Sequence, residues 1–181
     1  MKDTMKEILD WMKHIAIGIA IALFLVNFCI QRTVVYGSSM EPTLHDGNNL
    51  VVEKVTTRFG KFNYGDIVII DASEFMLPGN ELIIKRIIAL ENDEVEIKDG
   101  KVYVNNKEVI EPYVSVSTTL PINPKYSKIK VPEGHVYVMG DNRYPNASND
   151  SRIIGPVSIR KIRGKAVLRI YPFSEFGILK R

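Results

Sequence analysis

From Ile15 to Ile30 the chain reads IAIGIAIALFLVNFCI, apolar or glycine at every position except Asn27. Trp11 and Met12 extend the run toward the start, so it approaches the roughly 20 residues that a helix needs to cross a bilayer. Trp11, Lys13 and His14 on one side, with Gln31 and Arg32 on the other, supply the flanks of an interfacial anchor. A core helix that is apolar all round belongs to a larger protein. A cleavable secretory leader needs a small-x-small site after the run, where NFCIQRTVVYG continues with bulky residues. The pattern therefore predicts a single retained transmembrane helix, with residues 1–31 as head and anchor.

After residue 31 helical periodicity stops and short runs rich in β-branched and aromatic residues take over: TVVYG, NLVVEKV, DIVIIDA, ELIIKRIIAL, EVEIKDGKVYVNNKEV, HVYVMGD and KAVLRIYP. Glycine, proline and asparagine separate them. Within IKDGKVYVNNKEV, Asp99-Gly100 and Asn105-Asn106 are turn signals that predict two tight hairpins. Residues 32–181 are expected to form a mostly β domain, a folded antiparallel sheet or partly closed barrel rather than βαβ units. STTLPINPKYSK, around Leu120, reads as a long loop.

Composition narrows the class. At 181 residues, with 45% apolar and 25% charged positions, the chain suits one globular domain plus an appendage. A net charge of +3, from 24 basic and 21 acidic residues without any basic block, argues against a nucleic-acid partner. Arg160, Lys161, Arg163 and Lys165 read as a solvated strand face. One cysteine, Cys29, rules out an internal disulfide, and the scattered His14, His45 and His135 match no metal spacing. Neither cofactor nor metal is expected. Lys2, Lys6 and Lys13 are matched in number by Asp3, Glu7 and Asp10, yet orientation follows the basic residues, so the lysines favour a cytoplasmic N-terminus, with the long following domain on the outer face.

Three clusters carry candidate chemistry. GSSMEPTLHDG, Gly37 to Gly47, offers serines a few residues after the anchor. A serine nucleophile needs a base, and the obvious histidines, His45 and His135, have no helpful placement. ELIIKRIIAL supplies an alternative, because on a strand Lys85 shares its face with Ile83 and Ile87. Desolvation disfavours the ammonium form and lowers a lysine from about 10.4 toward roughly 7 to 8, where it accepts a proton. Arg86 has the same apolar flanks, but a guanidinium keeps its proton. A lysine between isoleucines taken alone also describes an edge-strand guard or a snorkelling side chain. The third cluster, MGDNRYPNASNDSRIIGPV, is loop by its Gly, Asn and Pro content, and its Asp141, Arg143, Asp150 and Arg152 supply opposite charges for pairing. Its bland reading is a polar surface loop, and NAS within it is a common chance match to a glycosylation acceptor.

Taken in order, the anchor, SMEPTL, GDIVII, IKRII, and GDNR followed by SNDSR resemble the type I signal peptidase family in its bacterial serine-lysine form. The resemblance runs from the anchor to about Val157 and includes DGKVYVNNKEVIEPYV. It implies a membrane-bound endopeptidase that removes signal peptides from exported preproteins at the outer face of the cell membrane, with preproteins and the lipid bilayer as partners. Ser39 matches the family's nucleophile and Lys85 its general base. Ser148 matches a hydroxyl that orients the lysine amine, Asp150 with Arg152 a supporting ion pair, and Arg86 with Asp141 another. Val35, Met40, Leu44 and Ile84 match pockets for small substrate side chains. The backbone N–H of Ser39 is the natural first oxyanion donor. For the second, some members carry a serine where this chain has Gly37, leaving a main-chain group there or the adjacent Ser38. ALEND after KRII departs from the family's usual Gly-Leu-Pro-Gly-Asp turn. Two rivals share features: a self-cleaving serine-lysine repressor-type protease, opposed by the anchor, and a non-catalytic membrane-tethered β-domain that binds a partner.

Overall fold

The computed structural model describes residues 2–75 and 82–181. Helix α1 (Lys2–Phe28) contains the segment Thr4–Leu25, long and apolar enough to cross a membrane, and the rest of the chain buries none of it. Its end is satisfied locally: Cys29 N–H donates to Leu25 O at 2.9 Å and Arg58 Nη2 donates to Phe28 O at 3.2 Å. A cation on the last carbonyls also complements the helix dipole.

Strand β1 (Ile30–Val34) starts one residue beyond this end and pairs with β2 (Asn49–Glu53). Ile30 and Gln31, read with the anchor on sequence, therefore sit in the sheet opposite Glu53 and Val52. The chain continues through α2 (Val55–Phe59), β3 (Ile67–Asp71) and β4 (Leu82–Ala89), then β5 (Glu94–Lys98), β6 (Lys101–Val104) and β7 (Lys107–Glu108). A single helical turn, α3 (Pro124–Ser127), leads into β8 (Lys128–Lys130) and β9 (His135–Met139). After α4 (Ser151–Ile154) come β10 (Val157–Ser158), β11 (Ile162–Tyr171) and β12 (Gly177–Ile178). The segment expected to be all loop around Leu120 thus closes in a capped turn and a strand, with Asn123 Oδ1 accepting Lys125 N–H and Pro124 opening the turn.

The main sheet runs β1-β2-β11-β3-β4-β9-β10, with β12 on β11, and the smaller one β7-β6-β5-β8. Every pairing is antiparallel. β1 and β10 remain edges, so the sheet folds but does not close into a barrel. Both expected hairpins form: Asp99 and Gly100 have φ of 51° and 77°, Asn105 and Asn106 of 51° and 62°, the left-handed pairs that match strand twist.

β3 and β4 are covered on both faces, which explains their nearly unbroken apolar runs. One face joins Val68, Ile70, Ile83 and Ile87 with Val136, Val138 and Val157. The other joins Ile67 and Ile69 with Val35, Met40, Leu44 and Leu50. The four-basic face on β11 and the turn before it is not simply solvated, since Lys161 meets Glu74, Arg163 meets Asp71, and Lys165 meets Asp66.

Candidate active site

The register of β3 with β4 sets Lys85 opposite Val68 and Ile83 opposite Ile70, so the lysine stem stands among the aliphatic side chains of the first face. Lys85 is only 3% exposed. Its Nζ lies 2.8 Å from Ser39 Oγ and donates to Ile84 O at 2.8 Å. Burial drives its pKa down from 10.5 to about 8, with Arg152 adding to the fall, against an upward pull from the carboxylates of Asp150 and Asp141. No carboxylate bonds it among the described residues, so little compensates the ammonium for lost water.

Ser39 sits on the loop that follows β1. Val35 extends the ladder by donating to Asn48 O at 2.8 Å and accepting Gly47 N–H at 3.0 Å. Gly37, at φ +82°, then turns the chain in a conformation that L side chains rarely adopt. Its N–H donates to Asp46 Oδ1 at 2.7 Å, which removes that main-chain group from the candidates for a second oxyanion donor and leaves the exposed Ser38. Behind the serine, Gly140 approaches so closely that a Cβ there would lie 2.4 Å from both Ser39 O and Ser148 Oγ. Only glycine fits.

Two buried ion pairs frame this contact. Arg86, on the opposite face of β4, donates Nε and Nη2 to Asp141 at 2.9 and 2.6 Å, and Nη1 to Gly65 O and Lys180 O at 2.9 and 3.0 Å. Tyr113 covers it, with Cζ 4.0 Å from the ring centroid, and burial pushes that phenol's pKa up. Arg152 donates Nε and Nη2 to Asp150 at 2.9 and 2.8 Å. Burial raises the Asp150 carboxyl, but the Arg152 bonds and the Gly140 N–H at 3.0 Å outweigh it and hold the pKa below the usual range. Asp150 also caps α4, accepting Arg152 N–H at 3.1 Å.

Ser148, expected to orient the lysine amine, stands beside Gly140 with its Oγ buried and near enough to Asp150 to help hold that carboxyl low, but in no well-formed hydrogen bond among the described residues. The amine is bonded to Ser39 and Ile84 instead. Arg143 pairs with Glu111 rather than with a neighbouring aspartate, donates Nη1 to Thr119 Oγ1 at 2.9 Å and donates Nε to Gly140 O at 2.7 Å. Glu111, Tyr113 and Thr119 were missed as site supports; EPYV within the family-like stretch was the one pointer to the first two. Ser151, also missed, accepts Val138 N–H on Oγ at 2.9 Å and ties the loop to β9.

A cleft of roughly 840 Å³ opens over Ser39 and Lys85. Val35, Met40 and Ile84 line it, whereas Leu44, fully buried, lies in the packed layer with Val35 and Met40. Tyr36, Leu82, Ala147 and Asn149 line it too, and none was singled out on sequence. Among the described residues no group of three His, Cys, Asp or Glu side chains converges.

Comparison with known proteins matches residues 8–171 to the family described as signal peptidase, peptidase S26. The chain is 38% identical over 183 aligned positions to a signal peptidase I of Bacillus licheniformis, covering 96% of this chain and 95% of the relative. Signal peptidase I T of Bacillus subtilis strain 168 is 35% identical over 173 positions, covering 92% and 87%. Signal peptidase IB of Staphylococcus aureus strain COL is 34% identical over 187 positions, covering 94% and 93%.

Proposed function

The chain belongs to the signal peptidase family, peptidase S26, and on that premise we propose that it is a membrane-tethered serine endopeptidase that removes signal peptides from exported preproteins. Ser39 is the nucleophile and Lys85 the general base. The supporting observation is a buried lysine, its pKa lowered to about 8, that bonds a serine hydroxyl at 2.8 Å and, among the described residues, no carboxylate.

In this reading neutral Lys85 takes the Ser39 Oγ proton as Oγ attacks the carbonyl carbon of the scissile bond. The Ser39 N–H, with the Ser38 hydroxyl as second donor, stabilises the oxyanion. The lysinium then protonates the departing amine, leaving an acyl group on Ser39. Water attacks that ester, again with Lys85 as base. A lysinium carries three donors. Ser39 Oγ and Ile84 O take two, and the buried Ser148 Oγ, whose lone pairs accept no bond among the described residues, supplies a seat for the third. Asp150, held by Arg152, and Asp141, held by Arg86, keep the Gly140 loop against the dyad. Val35, Met40 and Ile84 shape shallow apolar pockets for alanine-sized side chains, with Leu44 as the layer beneath.

Helix α1 leaves apolar side chains exposed, with Ile19 and Ile21 more than half exposed. A bilayer is the solvent that suits it. One residue joins it to the sheet, so the cleft stays near the lipid surface where signal peptides lie, at high effective concentration. The N-terminus is cytoplasmic and the β domain lies on the outer face.

The test is to incubate the full-length protein in detergent with a preprotein and sequence the new N-terminus. A single cut after an alanine, lost in Ser39→Ala and in Lys85→Ala, supports the reading. Cleavage that persists in Lys85→Ala removes the lysine-base mechanism, and no cleavage by the wild-type chain removes the peptidase.

A further inference from the structure

The structure assigns Asn142 a positioning role toward the nucleophile, resting on the peptidase reading above: its side-chain amide sets the direction of the Ser39 N–H. Asn142 Nδ2 donates to Ser38 O at 3.0 Å, and the Asn142 backbone N–H donates to Ser39 O at 3.1 Å. Two consecutive carbonyls of the nucleophile loop are therefore held by one residue, 103 to 104 positions away in sequence.

The consequence follows from peptide geometry. The Ser38-Ser39 bond is trans, and across a planar trans peptide the C=O and the N–H point in opposite directions. Gripping Ser38 O from behind aims the Ser39 N–H forward. That N–H donates to no acceptor among the described residues, so it is free for a developing oxyanion. Donors of this kind act through preorganisation, since they cost no rearrangement when charge appears.

Asparagine meets a double requirement at this position. Its Oδ1 accepts Tyr144 N–H at 3.2 Å, which turns Nδ2 toward Ser38. An aspartate would present an acceptor to a carbonyl, and an alanine nothing. The side chain is 9% exposed, so water replaces the lost bond poorly. The grip is not the only one on this carbonyl, because Glu41 N–H also donates to Ser38 O at 3.1 Å. Loss of Asn142 should thus misaim the donor rather than abolish it. A missing oxyanion donor costs about 10² to 10³ in kcat, and a misplaced one correspondingly less.

The experiment measures preprotein cleavage by the full-length wild type, Asn142→Ala and Asn142→Gln, over a range of pH. Asn142→Ala is expected to lower kcat by about 10- to 100-fold, with unchanged KM and an unchanged pH midpoint. A peptide aldehyde, which forms a tetrahedral hemiacetal with Ser39, should weaken by the same factor, while a non-cleavable peptide binds as before. Asn142→Gln keeps the amide and should recover part of the rate. The assignment is overturned if Asn142→Ala cleaves within about twofold of wild type, if KM rises in step with the loss, or if the pH midpoint moves, which would place the effect on Lys85. It is equally overturned if aldehyde affinity stays unchanged while kcat falls. Failure of the wild type to cleave would remove the peptidase itself, an outcome distinct from any ratio between variants.

Discussion

Strand β4 carries two cations side by side on opposite faces, Lys85 at 3% exposure and Arg86 at 1%, and the fold treats them in opposite ways. Arg86 receives a bidentate carboxylate, two backbone carbonyls and an aromatic cover. Its charge is fully answered. Lys85 receives a hydroxyl, one carbonyl and a wall of aliphatic side chains. Its charge is left largely unanswered, and the amine surrenders its proton more readily. Burial lowers the lysine, and with no carboxylate bonded to the amine among the described residues that fall is left largely uncompensated. The guanidinium could not have been tuned in this manner, which is why the two residues are not exchangeable.

The sharpest way to break this contrast is to remove each cation. Lys85→Ala should lower kcat/KM by at least about 10⁴-fold, as should Ser39→Ala, with circular dichroism unchanged. Residual cleavage above that level in Lys85→Ala would mean that another group accepts the proton. Arg86→Met should instead act on the fold, because it strands the buried Asp141 carboxylate. Denaturant unfolding in detergent should register a loss of about 3 to 5 kcal/mol, and a loss below about 1 kcal/mol would show that Asp141 finds other partners.

The protonation difference has its own signature in pH. With Lys85 titrating at about 8, kcat/KM should climb about tenfold per pH unit below that value and level off above it. At pH 7 only about a tenth of the molecules hold the neutral amine. A flat profile between pH 6 and 9 would contradict the depressed lysine.

The smallest effect is on stability and runs opposite to that of Arg86. The folded pKa of Lys85 lies below its unfolded value of 10.5, so the folded state resists the proton. The lysine's contribution to stability is therefore fully present only above about pH 10.5 and is lost as pH falls through about 8. Lys85→Met removes this penalty. It should raise unfolding free energy at pH 7 by about 1 to 3 kcal/mol, with the advantage shrinking as pH climbs from 8 toward 10.5. A destabilised Lys85→Met at pH 7 would mean that the two hydrogen bonds of the amine outweigh its desolvation.

Much of this was legible where the governing physics is local. The hairpins at Asp99-Gly100 and Asn105-Asn106 form because those residues tolerate left-handed backbone, a property of the residues themselves. Part of the apolar setting of Lys85 was legible, since Ile83 and Ile87 share its strand face at a spacing of two and both join the core. The partner of Arg143 was not legible. Asp141 and Asp150 are nearer in the chain, yet Glu111 takes it, because the segment following β7 folds back over the GDNR loop. Nor was the turn that ends in α3, hidden in a stretch without apolar period.

By itself the sequence determined an apolar N-terminal helix, a β domain with its turns, and a lysine in aliphatic surroundings, because propensity, φ preference and strand alternation act between residues close in the chain. Tertiary structure decided the rest: that the sheet stays open, that Lys85 comes within 2.8 Å of a hydroxyl 46 residues away, and that Asn142 grips the peptide before it. Those contacts depend on how β1 and β9 are ordered around β4 and on the packing that fills the space between them. No pairwise pattern along the chain specifies that order.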